Sequence, residues 1–498
     1  MKKIIIVLSV LIPAIVFAAG TAAAKKPSKP QLKLHQLYTD NAIFQRNVAK
    51  YPIKGRAKKN TKVTITFRGE TATVTADDKG NWCAYLPSGE AGEGYELKVV
   101  SDDENLTAKN IAVGDVWLVA GQSNAEFTVG WFKQGAEWSK DSDYPLIRFQ
   151  TETWQPPHMR KDDAWQILSP KTVKNFSATG FFFAKEIWKN HKIPVGVIVS
   201  ASGGSVIRSW IPESALAEIP HARKTLIEPH RKAFEKYEKE KAENPQKPPR
   251  YPFKSYSGLF NERVARLRGL PLSGVIWYQG EADAMFAGGH IYREYLEALI
   301  KSYRAHFSNA NLPFFVVEIP YYGNHYIWSD LRDSQRFAAN KLDAVHLVSI
   351  LDIGDLKDIH PPKKPELGTR LAAVADRFVY GGKDVAIGPQ YESMKIAGNR
   401  VVLKFKSDSI GGGLIASDGK ALRGFLIADS NKRFTDAQAV IEGDCVVVSS
   451  EKVKKPVAVR YGWYPPKEGV NFFNKAGYPC GLFRTDDFKL PTDRSPNK

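Results

Sequence analysis

Five apolar runs constrain this chain more than any other feature: "DVWLVAG" (115–121), "PVGVIVSASGG" (194–204), "SGVIWYQGE" (273–281), "PFFVVEIP" (313–320) and "VHLVSILDIGD" (345–355). Because they do not alternate apolar and polar residues, both of their faces must be covered. Between them lie helical candidates such as "GFFFAKEIWKNH" (180–191) and "YREYLEALIKSYRAHF" (292–307), the second carrying Tyr292, Leu296, Leu299, Ile300 and Tyr303 at helical spacing. Strands buried on both faces and alternating with helices imply an α/β fold: three layers, α/β/α, around a mostly parallel sheet.

A chain of 498 residues exceeds what one core organises, so further domains are expected. From Leu32 to about Ile111, "KVTITFRG", "TATVTADDKGNWCAYL" and "YELKVVSDD" alternate apolar and polar residues between turn signals. The same texture returns after about Gly381 in "NRVVLKFKSD", "LRGFLIADSN" and "DCVVVSSEKVKKPVAVRYGW". The expected organisation is an N-terminal β domain over 25–111, an α/β domain over 112–380 and a C-terminal β domain over 381–498, both β regions being sandwich-like. The charged, proline-broken segment 228–256 reads as a surface excursion of the central domain.

Residues 1–24 hold two lysines, an apolar stretch from Ile4 to Phe17 and small residues thereafter, the pattern of a secretory signal peptide. The expectation is an exported protein, periplasmic or extracellular, with no membrane association after cleavage. The alternative is an uncut anchor over Ile4 to Phe17. Three cysteines, Cys83, Cys445 and Cys480, cannot all pair within one chain, and none has zinc-site spacing. Cys445 with Cys480 is the candidate bridge. The formal charge of +18 suits anionic partners. Nucleic acid is nevertheless not expected, since the lysines are dispersed and no zinc-finger or basic-zipper pattern occurs.

Four of the five runs end in small or polar functional residues, and open α/β sheets bind ligands beyond the carboxyl ends of their strands. These endings are Ser123, then Ser202-Gly203-Gly204-Ser205, then Gln279-Gly280-Glu281, and finally Asp355 with "DIH" at 358–360. Acyl transfer requires a hydroxyl, a base, a group orienting the base, and donors for the oxyanion. Ser123 supplies the hydroxyl and His360 the base. Asp358 is the orienting carboxylate, with Asp355 in reserve. The backbone N–H groups of Ser123 and Gly204 and the side-chain amide of Gln279 form the candidate oxyanion hole. Taken singly, each has a structural rival: Ser123 as a helix N-cap, Gly203-Gly204 as a tight turn, Gln279 and Glu281 as buried hydrogen-bonding partners, His360 as a loop residue. Together they favour catalysis. The α/β-hydrolase elbow G-x-S-x-G is absent, since Ala125 stands where its second glycine belongs. No H-E-x-x-H zinc motif occurs either, and no metal is expected.

The blocks "GQSN" (121–124), "SGGS" (202–205), "WYQGEADA" (277–284) and "DIGDLKDIHPPKKPELGTRLA" (352–372) resemble those of the sialate O-acetylesterase family of SGNH hydrolases. The likeness covers roughly 115–487 and extends to "GFLIADSNKRFTDAQAVIEGDCVVVSS" and "FRTDD". It implies removal of O-acetyl groups from sialic acids, with Ser123 as nucleophile and His360 as base, and without metal or organic cofactor. Asp358 is the weakest member of the triad by this comparison, and a backbone carbonyl is an alternative partner for His360. Where the family often has Met and an acidic residue, this chain has Ala125 and Arg208. A guanidinium can grip a carboxylate with two hydrogen bonds, so Arg208 is a candidate for binding the sugar acid, with pairing to Glu213 as the alternative. Glu281 is the second substrate-binding candidate. The competing functions are an acetylesterase for neutral plant polysaccharides such as xylan, and a non-catalytic carbohydrate-binding protein.

Overall fold

The computed structural model describes residues 32–102, 104–152, 164–286, 289–323 and 326–490. The expected signal peptide over 1–24 lies outside them. Among the described residues, no helix is long and apolar enough to cross a membrane.

The apolar runs become strands of one mixed sheet. Its spine comprises β1 (Glu104–Gly121), β2 (Tyr144–Thr151), β3 (Gln166–Leu168), β4 (Val195–Ala201), β5 (Gly274–Tyr278), β6 (Phe314–Val317) and β7 (Val345–Val348), in the spatial order β3-β2-β4-β1-β5-β6-β7. Neighbours from β2 to β7 pair in parallel, while β3 joins the edge antiparallel. The sheet is mixed for a further reason. The first half of β1 pairs antiparallel with Gly92–Ser101, which continues through Lys62–Phe67 to Glu70–Thr75. A single strand therefore runs from the N-terminal β region into the heart of the α/β region, across residues 111 and 112 where the sequence suggests a boundary.

Alternate residues of β1 serve different cores. Val116, Leu118 and Ala120 face one, with Leu296, Leu299 and Tyr303 of the helix Gly289–His306. Trp117 and Val119 face the other, with Phe181, Phe183 and Ile187 of the helix Ala178–His191 and Leu367 and Leu371 of the helix Lys364–Phe378. Side chains alternate across a strand, so continuous apolar sequence is what two-sided burial requires. Each large apolar side chain withdrawn from water contributes roughly 1.5–3 kcal/mol, before the entropy of ordering the chain is set against it.

The helix Glu228–Glu243 buries none of its side chains, and its partners are local: Phe234 and Tyr237 pack on Tyr251. In the C-terminal region two four-stranded sheets enclose a core that includes Val401, Leu403, Ile427 and Tyr461. This region is tied to the α/β region by Arg332, whose guanidinium donates to the carbonyls of Gly462 and Trp463, and by an Arg484–Asp333 ion pair of 3.0 Å. The candidate bridge is corrected here: Cys445 and Cys480 are both free. Cys445 begins an interior strand of one sheet, whereas Cys480 is buried with its thiol donating to the carbonyl of Pro389.

Register decides where the loops emerge. Gly121 pairs with Ala201 on one side and Tyr278 on the other, so three strands end level at one edge. Gly121 has φ of +141°, and a Cβ there would lie 2.0 Å from the Tyr278 carbonyl oxygen. Gly121→Ala is therefore expected to push β1 and β5 apart and destabilise the fold by about 3 kcal/mol, measured as a lowered urea midpoint.

Candidate active site

Ser123 opens a four-residue helix, Ser123–Glu126, directly after β1. Its N-cap position is held by Gln122, whose side chain makes no capping bond, so Ser123 is not the cap. Instead, Ser123 Oγ lies 2.9 Å from His360 Nε2, across 237 residues of sequence. That distance permits direct proton transfer when Nε2 is the unprotonated nitrogen. Burial pushes the His360 pKa below its ordinary value, with Lys364 adding to the effect and Asp358 opposing it. The imidazole is thus kept neutral, the form a base requires.

Asp358 is less than a full triad member. Its Oδ1 accepts the His360 backbone N–H at 2.8 Å and stands 3.8 Å from His360 Nδ1, beyond hydrogen-bond reach. The side chain is also half exposed, so its influence on the ring is a screened charge effect. Asp355 bonds the Lys357 backbone N–H and takes no part.

The glycine loop comes close to the serine. A Cβ at Gly203 would lie 3.7 Å from Ser123 Cβ, and the Gly203 N–H is already taken by a Glu126 carboxylate oxygen at 2.6 Å. Gly204, with φ of +66° and open space where a Cβ would sit, leaves its N–H without an acceptor among the described residues. The Ser123 N–H, at the start of its helix, likewise has no intrahelical acceptor. Two of the three oxyanion donors are therefore available.

The third is corrected. Gln279 is completely buried, and its amide donates to Asp283 Oδ2 at 2.6 Å and to the Ser205 carbonyl at 3.0 Å. With its hydrogens committed, it holds the glycine loop in place rather than facing an acyl oxygen. Asp283 also accepts the Ile207 N–H, and burial raises its pKa to about 6. Glu281 is corrected for the same reason: it is 1% exposed and beneath the serine loop, out of a substrate's reach. Arg208 is half-buried, its Nε donating to the Ser255 carbonyl at 3.2 Å. It does not pair with Glu213, which takes Lys254.

Sequence reasoning missed what lies underneath. Asn124 donates to Glu281 Oε1 at 2.7 Å and to the Ile359 carbonyl at 2.9 Å, and accepts from Lys364 Nζ at 2.7 Å. It thereby clamps the residue before His360 to the residue after Ser123. Lys364 is buried against the Tyr278 ring, and desolvation lowers its pKa to about 7. Glu281, pushed upward by the same burial, has Oε2 unpartnered. The only sequence signal for Lys364 is its place four residues after His360, unremarkable in so lysine-rich a chain. Among the described residues, no group of three or more histidine, cysteine, aspartate or glutamate side chains is spaced to hold a metal ion.

A hydroxyl bonded to a neutral imidazole, beside free backbone N–H groups at the carboxyl edge of an α/β sheet, is the layout of a hydrolase that works by acyl transfer. Comparison with known proteins gives the class its family. Residues 113–377, more than half of the chain, match the family described as carbohydrate esterase, sialic acid-specific acetylesterase. The solved structure of a carbohydrate acetylesterase from Xanthomonas citri is 32% identical, covers 92% of this chain and 100% of its own, and superposes with a TM-score of 0.79. Human sialate O-acetylesterase is 23% identical over 441 residues, 80% of each chain, and the Rattus norvegicus enzyme 25% identical over 425, covering 74% of this chain and 78% of its own. The chain belongs to this family of carbohydrate esterases and is a carboxylic ester hydrolase.

Three outcomes check the geometry. Since the His360 pKa is lowered, kcat/KM is expected to fall on acidification with a midpoint below pH 6.5. Asp358→Asn removes a group that raises this pKa, so its acid limb moves further down, and the rate loss stays within about tenfold, far below the ~10⁴-fold loss of a hydrogen-bonded triad carboxylate. Lys364→Met strips the buried Glu281 of its neighbouring cation and is expected to lower stability by about 3 kcal/mol, read by chemical denaturation.

Proposed function

We propose that the protein removes O-acetyl groups from sialic acids, with Ser123 as nucleophile and His360 as base. The observation carrying this reading is the 2.9 Å contact between Ser123 Oγ and His360 Nε2 beside the Gly204 loop. Ser123 Oγ attacks the acetyl carbonyl carbon while its proton passes to His360 Nε2. The Ser123 and Gly204 N–H groups receive the negative charge that develops on the carbonyl oxygen. The intermediate collapses by breaking the bond to the sugar oxygen, which takes the proton back from Nε2. Water, deprotonated by His360, then releases acetate from acetyl-Ser123 and restores the hydroxyl.

The family match and the sialate O-acetylesterase relatives support sialic acid as the sugar. The net charge of +18 favours an anionic substrate, and Arg208 is our candidate for its carboxylate. A second reading, a neutral acetylated polysaccharide such as xylan, draws support from Glu126, a carboxylate at the glycine loop that disfavours an acidic sugar nearby. We read the α/β region as the three-layer arrangement of SGNH hydrolases, supported by helices packed on both faces of β1. We read the chain as exported, on the pattern of residues 1–24.

The deciding experiment compares acetate release from O-acetylated sialic acid and from acetylated xylan by wild type and Ser123→Ala. Sialate turnover at least tenfold above xylan, lost by more than a thousandfold in Ser123→Ala, is expected. Turnover that survives Ser123→Ala overturns the nucleophile. Preference for xylan transfers the substrate to the second reading.

A further inference from the structure

Resting on the reading of Ser123 and His360 above, we infer that Trp131 is the platform on which the sugar ring of the substrate stacks. The imidazole that takes the serine proton returns it to the leaving oxygen, which in a sugar acetate is a ring hydroxyl oxygen. That oxygen must come within hydrogen-bond reach of His360 Nε2, so the sugar sits on the imidazole side of Ser123 while the acyl oxygen turns toward Gly204.

On that side the structure builds an aromatic path outward. The Phe127 ring lies 4.5 Å from the His360 ring, centroid to centroid, and the Trp131 indole 4.1 Å from Phe127 at an interplanar angle of 31°. Phe127 is half-buried, whereas Trp131 is 64% exposed, so the path ends on an open indole face. Single exposed apolar residues are ordinary on protein surfaces. Trp131 differs from them in standing one ring away from the ring that contacts the catalytic imidazole.

The backbone turn that carries the indole is also anchored. The Trp131 backbone N–H closes a turn onto the Thr128 carbonyl at 2.9 Å, and the Val129 N–H is anchored to the Phe176 carbonyl at 2.8 Å. A Cβ at Gly130 would lie 2.8 Å from the Lys174 carbonyl, so this turn is pressed against the next loop. An aromatic side chain on an anchored turn has only its own two torsions to lose when a pyranose ring covers it, and binding sites combine such apolar walls with a few polar groups.

The test compares wild type, Trp131→Ala and Trp131→Phe on an O-acetylated sugar and on ethyl acetate, whose leaving group is too small to reach the indole. Trp131→Ala is expected to raise KM for the sugar acetate about tenfold and to lower the sugar-to-ethyl ratio of kcat/KM by a similar factor. Trp131→Phe keeps an aromatic face and recovers most of that ratio. Thermal melts confirm that each variant is folded. An unchanged ratio in Trp131→Ala, or an equal loss on both esters, overturns the platform. Failure of wild type to hydrolyse any sugar acetate overturns the underlying functional reading instead.

Discussion

The hydrogen-bond register of β1 between its two parallel neighbours is the constraint on which the rest depends. Gly121 opposite Ala201 and Tyr278 makes three strands stop at one level, so the loops bearing Ser123, Gly204 and Gln279 leave the sheet side by side. A slip of one residue would invert every side chain of a strand whose two faces belong to different cores. The position of Ser123 is therefore set by the same packing that stabilises the fold. Because β1 also pairs with the N-terminal β strands, that region helps fix the register.

Register alone does not bring in His360, which follows the last strand of the spine after a long loop. That loop is held by a polar cluster buried under Ser123 and His360. Asn124 ties the Ile359 carbonyl, Glu281 and Lys364 together, and its neighbour Ser123 meets the imidazole. Burying a cation and a carboxylate is costly, and Glu281 still carries an unpartnered oxygen. What the cluster supplies is geometry: two segments far apart in sequence are held at hydrogen-bond distance by groups that have few other partners within reach. Gln279 and Asp283 do the same for the glycine loop, bonding the Ser205 carbonyl and the Ile207 N–H.

Much of this was legible in the chain. The unbroken apolar runs required a doubly covered sheet, and strand endings rich in Ser, Gly and His pointed to one reactive edge. Where the reading went astray, depth was the cause. Gln279 and Glu281 have the right chemistry and follow the right strand, but they turn inward and are consumed by Asn124 and Asp283. Asp358 is close in sequence to His360, yet its carboxylate bonds the backbone rather than the ring. Cys445 and Cys480 share a region but do not pair. Lys364, one of 71 lysines and arginines, carries no local signal that sets it apart, and it is buried.

By itself the sequence determined the alternation of strands and helices, the sheet edge at which polar loops gather, and the serine and histidine that meet there. These follow from periodicity and residue type, which are local properties. Only the tertiary structure decided which polar side chains face substrate and which are spent holding the loops, and that Trp131 ends an aromatic path leading out from the imidazole. The reason is that a side chain's role depends on its depth and on partners brought from distant parts of the chain, and neither is encoded within a short window.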